Sequence, residues 1–239
     1  MARIRLRNCF VRFIDGFTAA GVLNEAPANG MTDLDVTITG DVIIALGSRF
    51  EVVGADQIYT VTAQTDNGTK TTNITFTPAL ATAAGIPSNG AVITFQGRAL
   101  TIKVGDGNVT YDTNRNLEYE MDRGEVDAVV EGDDEPVAVN LDMTYEFLTA
   151  QTGSAVPTPE DVLKNRGEAA DWVTAGADPC ENYAIKIEID YAPPCNVDHE
   201  ITTFPEFRYE TLSHDMQGSS ISVKGRCKVK DITPIRRAY

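Results

Sequence analysis

Arg115-Asn-Leu-Glu-Tyr-Glu-Met-Asp-Arg-Gly-Glu-Val-Asp-Ala-Val-Val-Glu-Gly-Asp-Asp-Glu-Pro-Val-Ala-Val-Asn-Leu-Asp-Met-Thr-Tyr-Glu-Phe147 decides the fold, because it reads as three strands separated by two turns. In its last third Val137, Val139, Leu141, Met143, Tyr145 and Phe147 share one face. Ala138, Asn140, Asp142, Thr144 and Glu146 take the other, the period of a half-buried strand. Leu117 to Met121 and Val126 to Val130 are shorter strand-like runs, and Gly124 and Gly132-Asp-Asp-Glu-Pro136 supply the turns. From Leu100 to Phe147 thirteen Asp and Glu stand against only Lys103, Arg115 and Arg123. A segment that acidic works against its own compaction, so a role beyond folding keeps the charge there.

Strand-like sequence continues outward on both sides. Towards the C-terminus come Tyr183–Tyr191, Glu206–Leu212 and Ser220–Val229, all alternating. One helix signal precedes them: Thr158-Pro-Glu-Asp offers an N-cap, a proline at N1 and acids in the first turn, with Gly167 as a stop. Towards the N-terminus lie Leu100–Val104, Val109–Tyr111 and the strand Arg3–Phe13. Between Asp15 and Arg98 the composition shifts towards Thr, Ala, Val and Ile after two stretches rich in turn formers, Asp15–Gly21 and Glu25–Gly30. Five short runs follow, Asp35–Thr39, Arg49–Val53, Ile58–Thr62, Asn73–Thr77 and Ala91–Phe95, a spacing that predicts a compact antiparallel barrel or sandwich. Residues 15–98 therefore read as a small β-domain inserted into a discontinuous domain of residues 1–14 and 99–239.

The 239 residues, 42% apolar, suffice for a packed core. No apolar run approaches the roughly 20 residues of a membrane helix, and Met1-Ala-Arg-Ile-Arg-Leu-Arg7 breaks the apolar core of a secretory signal, so the reading is of a chain that folds in cytosol, without a membrane. A formal charge of −15 argues against binding nucleic acid through its phosphates, where Lys and Arg displace counterions. The charge is uneven: +4 over residues 1–13, −5 over 14–98, −10 over 99–150 and −4 over 151–239. A basic N-terminal arm beside an acidic body suggests subunits that attract one another; an acidic surface kept for solubility is the plainer reading, and charge by itself does not decide between them.

Enzyme chemistry finds little support. Only His199 and His214 titrate near neutrality unperturbed, and Ser213, His214 and Asp215 are strand neighbours that point to alternate faces, so they form no triad. Cys9, Cys180, Cys195 and Cys227 lack CxxC spacing. A Cys3His metal site of Cys180, Cys195, Cys227 and His199 is the sharper reading, buried free thiols the plainer and favoured one. Asp106-Gly-Asn-Val and Gly132-Asp-Asp-Glu do not follow EF-hand spacing. No phosphate loop, dinucleotide fingerprint or nucleophile elbow occurs, and no cofactor or metal is expected. Trp172, Tyr183, Tyr191, Phe204, Phe207 and Tyr209 interleave with charges in an acidic or mixed surround, which favours packing over base stacking.

The run from Arg115 to Leu141 resembles a segment of the tail tube proteins of tailed bacteriophages. The likeness continues in order along the chain. Arg3–Asn8 resembles the family's opening strand, Leu163–Val173 its helical segment, Asp178–Cys195 the following strand, and Phe204–Leu212 with Ile221–Cys227 its closing hairpin. Ser48–Thr62, Ile74–Leu80 and Ala91–Phe95 are similar to a small β module of phage structural proteins.

The resemblance implies a mainly β subunit of tail-tube type, a β-sandwich or barrel with one short helix. It implies hexameric rings stacked into a hollow tube in the virion tail, assembled in the bacterial host cytoplasm, with the inserted domain facing outward. Its partners would be terminator, tape-measure and baseplate proteins, and a sheath where the tail has one. Strands of six subunits would join in an inner barrel with an acidic lumen, which double-stranded DNA crosses without adhering. Glu118, Glu120, Asp122, Glu125 and Asp127 are the lumen candidates, with outer-surface solubility as their plainer role. Arg3, Arg5, Arg7 and Arg12 are the arm candidates that would bridge subunits or rings. The rival of nearest kind is a single-ring adaptor or baseplate hub protein of related fold. A carbohydrate-binding β protein and an enzyme come after it.

Overall fold

β-branched and aromatic residues at alternate positions, interrupted by Gly, Asn and Pro, build a chain that is mainly antiparallel strand with one short α-helix. The computed structural model describes residues 9–26, 28–39, 44–52, 58–66, 71–80, 90, 92–102, 108–123, 125–144, 157–178, 180–191, 199–218 and 220–237. In chain order the elements are β1 (Cys9–Ile14), β2 (Thr18–Leu23), β3 (Asp33–Ile38), β4 (Ser48–Glu51), β5 (Ile58–Asp66), β6 (Thr71–Thr77) and β7 (Val92–Ile102). There follow β8 (Val109–Asp112), β9 (Leu117–Asp122), β10 (Glu125–Glu131), β11 (Val137–Thr144), α1 (Pro159–Lys164), β12 (Ile185–Tyr191), β13 (His199–Asp215), β14 (Ser220–Cys227) and β15 (Ile235–Arg237). The chain divides into two compact units. One is Ile14–Leu100 with Trp172–Thr174; the other is Met1–Phe13, Thr101–Asp171 and Ala175–Tyr239.

The first unit is a closed six-stranded barrel in the order β2-β3-β6-β5-β4-β7, with β7 returning to pair β2 from Gln96↔Thr18 to Val92↔Val22. Closure leaves this sheet no open edge. Leu34, Val36, Phe50, Tyr59, Val61, Ile74, Phe76, Ile93 and Phe95 fill it. Phe50 sits at the centre, its ring centroid 5.3–5.4 Å from those of Tyr59, Phe76 and Phe95, spacings at which aromatic pairs attract beyond simple burial.

Two expectations about this unit need correction. The sixth strand, β2, lies in the stretch read as turn formers: its small residues are needed because β3 leans in, and a Cβ on Gly21 would stand 2.5 Å from Val36 Cγ1. β7 is one continuous strand where the pattern gave two, because Gly97 is a point of close approach and not a break. A Cβ there would lie 2.0 Å from Asp15 Oδ1. Trp172–Thr174 cluster with the barrel from far along the chain, and Gly16 N–H donates to the Val173 carbonyl at 2.8 Å.

The second unit carries a sheet in the order β1-β12-β13-β14-β11-β8, with β15 also pairing β13. β11 runs in unbroken register with β14 from Val137↔Cys227 to Thr144↔Ser220. Val137, Val139, Leu141 and Met143 are buried as their alternation predicts, together with Ile185, Ile187, Phe204, Phe207, Ile221 and Val223. Tyr145 and Phe147 lie outside the described residues. Gly225 is where β13 crowds β14, since a Cβ there would meet the Arg208 carbonyl oxygen at 2.2 Å. Helix α1 has the expected cap: the Thr158 hydroxyl accepts from Asp161 N–H at 3.1 Å and Asp161 returns to Thr158 N–H. It ends at Asn165 (φ 47°), before the predicted stop at Gly167, and buries Val162 and Leu163. Among the described residues no helix is long and apolar enough to cross a membrane.

Candidate functional site

Among the described residues β9 and β10 pair only with each other, a two-stranded antiparallel hairpin apart from that sheet. The loop between Asp122 and Glu125 has only two residues, and Arg123 takes a left-handed conformation (φ 49°), the kind of turn that suits twisted hairpin strands. The register pairs Asp122 with Glu125, Met121 with Val126, Glu120 with Ala128, Tyr119 with Val129, Glu118 with Val130 and Leu117 with Glu131. A bulge interrupts it between Val126 and Ala128, and Asp127 is the extra residue.

This register sorts the side chains. Glu118, Glu120, Asp122 and Glu125 share one face with Ala128 and Val130. Leu117, Tyr119, Met121, Val126 and Val129 share the other with Glu131. The alternation in sequence predicted half-buried strands, but both faces are exposed: Met121 is 61% exposed and Tyr119 59%. A two-stranded hairpin with neither face covered is marginal at best in water. Asp122 opposite Glu125 adds a like-charge pair directly across the strands, which disfavours it further. None of the five lumen candidates, Glu118, Glu120, Asp122, Glu125 and Asp127, forms an ion pair among the described residues. The hairpin thus presents fixed negative charge, apolar area and unpaired strand edges, the ingredients of a recognition surface.

At its base is a cleft of about 410 Å³, bordered by Arg115, Asn116, Glu131, Asp133, Asp134 and Lys230. Lys230 Nζ reaches Asp134 Oδ1 at 3.2 Å, and that bond, reinforced by Glu131, raises the Lys230 pKa above its usual value. No family model, curated protein or solved structure matches this chain.

Of the basic arm candidates, Arg3, Arg5 and Arg7 lie outside the described residues. Arg12 is committed within its own chain: its Nη1 meets Glu188 Oε1 at 3.0 Å and Asp190 Oδ2 at 3.1 Å, and its guanidinium lies 5.5 Å from the Phe10 ring centre. With 19% of its side chain exposed, Arg12 holds β1 to β12 and is not displayed for a neighbour. Sequence reasoning grouped it with the arm because charge carries no mark of burial.

The remaining candidates separate. Among the described residues no three His, Cys, Asp or Glu side chains stand close enough to hold a metal ion, and Cys195 lies outside them. Cys9, Cys180 and Cys227 are free thiols. Cys180 is exposed, against the expectation of burial, while burial pushes the Cys227 thiol up to about 12. His214 is still within β13, and its Nε2 lies 3.3 Å from Glu160 Oε2. Asp215 turns away from it to accept from Gln217 and Gly218 N–H, each at 3.0 Å. Glu160 also accepts from Lys164 and Arg166 at 2.6 Å; the Lys164 bond leads in holding its carboxyl below the usual range.

Proposed function

We propose that the chain is a structural subunit of a bacteriophage tail tube, assembling into hexameric rings that stack around a channel for the genome. The observation that carries the reading is the β9–β10 hairpin, apolar on one face, acidic on the other and covered on neither. Apolar side chains exposed in a row gain about 1.5–3 kcal/mol each when fully covered, so such a surface favours association. In the tube, the hairpin of each copy buries its apolar row against the wall and turns Glu118, Glu120, Asp122 and Glu125 to the lumen. Fixed carboxylates then repel phosphates over about 8 Å at physiological salt, so DNA slides without adhering. The barrel faces outward, as a duplex-sized channel has no room for it.

Negative-stain electron microscopy of the purified chain over a range of concentrations tests this. Long hollow filaments of uniform width are the expected result. Isolated rings transfer the reading to a single-ring adaptor or hub, and monomers at every concentration overturn both.

A further inference from the structure

The acidic row of β9 has a matching sequence elsewhere in the chain. Eight residues, Met1–Asn8, precede β1 and lie outside the described residues. They alternate Arg3, Arg5 and Arg7 with Ile4 and Leu6, the same two-residue period that sets Glu118, Glu120 and Asp122 against Leu117, Tyr119 and Met121 on β9. We propose that residues 2–8 of one copy add as a strand to the free edge of β9 in a second copy. Arg3, Arg5 and Arg7 then lie beside Glu118, Glu120 and Asp122, and Ile4 and Leu6 extend the apolar row.

Four observations select this arrangement. Among the described residues β9 is paired along one side only, by β10, so its other edge offers open main-chain donors and acceptors. β9 is also the regular strand of the pair, whereas the bulge at Val126 to Ala128 spoils the edge of β10 as a template. Register is set by charge: sliding the arm by one residue puts each arginine on the apolar row and each apolar residue on the acids. The arm is long enough, since eight extended residues span about 26 Å and β9 about 20 Å.

Charge also selects a second copy as the occupant. Subunits of formal charge −15 repel, and association needs a local complement where they meet. Three arginines against three carboxylates provide one, and relieve the Asp122–Glu125 repulsion within the hairpin at the same time. Each chain has one arm and one β9 edge, so the contact is head-to-tail and passes from copy to copy. The inference rests on the reading that copies of this chain associate, and it specifies the contact.

The test is a disulfide between Arg5→Cys and Glu120→Cys. These are the middle residues of the two rows, so they face each other whether the added strand is parallel or antiparallel. Mild oxidation of the full-length double variant is expected to give covalent ladders on a non-reducing gel, and each single variant none beyond those of the native thiols. An internal bond within monomers overturns the proposal. Ladders without filaments sustain the pairing and sink the tube reading, whereas filaments without ladders do the reverse. Charge reversal gives an independent measure. R3E/R5E/R7E is expected to raise the concentration needed for association at least tenfold, and E118R/E120R/D122R in the same chain to restore it. Unchanged association in the arm variant overturns the proposal.

Discussion

Arg98 donates from Nε to Asp15 Oδ2 at 2.9 Å, and its main-chain N–H donates to Oδ1 of the same carboxylate at 3.0 Å. Phe17 N–H adds a third bond at 3.2 Å, and the Asp15 N–H reaches the Arg98 carbonyl at 3.1 Å. The Arg98 guanidinium in turn lies 5.5 Å from the ring centre of Trp172. A fully buried carboxylate thus fastens the segment that enters the barrel to the strand that leaves it. Asp15→Ala removes charge-assisted bonds to a buried group and is expected to cost about 2 kcal/mol, read as a lower urea midpoint of the cooperative transition.

Gly97→Ala tests the same joint sterically. The new Cβ would stand 2.0 Å from Asp15 Oδ1 and 2.3 Å from the Asp15 carbonyl oxygen, and main chain cannot move aside cheaply. A loss of about 3 kcal/mol is expected, visible as a fall in Tm. A variant as stable as the parent would show that the approach of Asp15 to Gly97 is not kept in solution.

The two shifted carboxylates give opposite pH dependence. Burial pushes Asp15 above the usual carboxylate range despite the pull of Arg98, so its contribution is fully present below about pH 4 and is lost as pH rises through its folded value. Lys164 holds Glu160 low, so its contribution is present above that range and is lost as pH falls through its folded value. Urea midpoints followed across the acid range should lose the first slope in Asp15→Asn and the second in Glu160→Gln. The Glu160 effect should be about 0.5 kcal/mol or less, because the group is largely solvent-screened.

Association and folding should separate on the hairpin. Tyr119→Lys and Met121→Lys alter side chains that are more than half exposed in the single chain and belong to no core, so chemical stability is expected to stay within about 0.5 kcal/mol. Filament or ring formation should be abolished, as followed by sedimentation. Retained assembly in both variants would remove the apolar row from the interface.

Thiol reactivity should rank by exposure. Cys180 is expected to react with maleimide within minutes and Cys227, buried and shifted to about 12, only on unfolding; peptide mapping by mass spectrometry distinguishes them.

Much of the fold was legible where one face of a strand is buried, because burial imprints period two: Val137, Val139, Leu141 and Met143 are the clearest case. The capped start of α1 was legible for a local reason, the Thr158–Asp161 exchange of hydrogen bonds. β2 was not, since Ala19, Ala20 and Gly21 are small to admit a neighbouring strand and small residues also make turns. Nor was the hairpin's isolation, because Leu117, Tyr119 and Met121 alternate with acids in the same way whether the apolar face meets a core or water. The one sign was the acids themselves, as many as the apolar residues and gathered on one side. Arg12 shows the converse: its partners Glu188 and Asp190 lie more than 170 positions away, beyond the reach of local pattern.

Because Asp15 and Arg98 are hydrogen-bonded main chain to main chain, the 82 residues between them begin and end at nearly one point. Such a segment behaves as a cassette: exchanging it for a short turn joining residues 15 and 98 alters the chain's path by only a few ångströms. The burden of removal falls on Trp172, whose indole would lose the barrel residues it clusters with. Lineages carrying and lacking the cassette would then differ most at that one tryptophan.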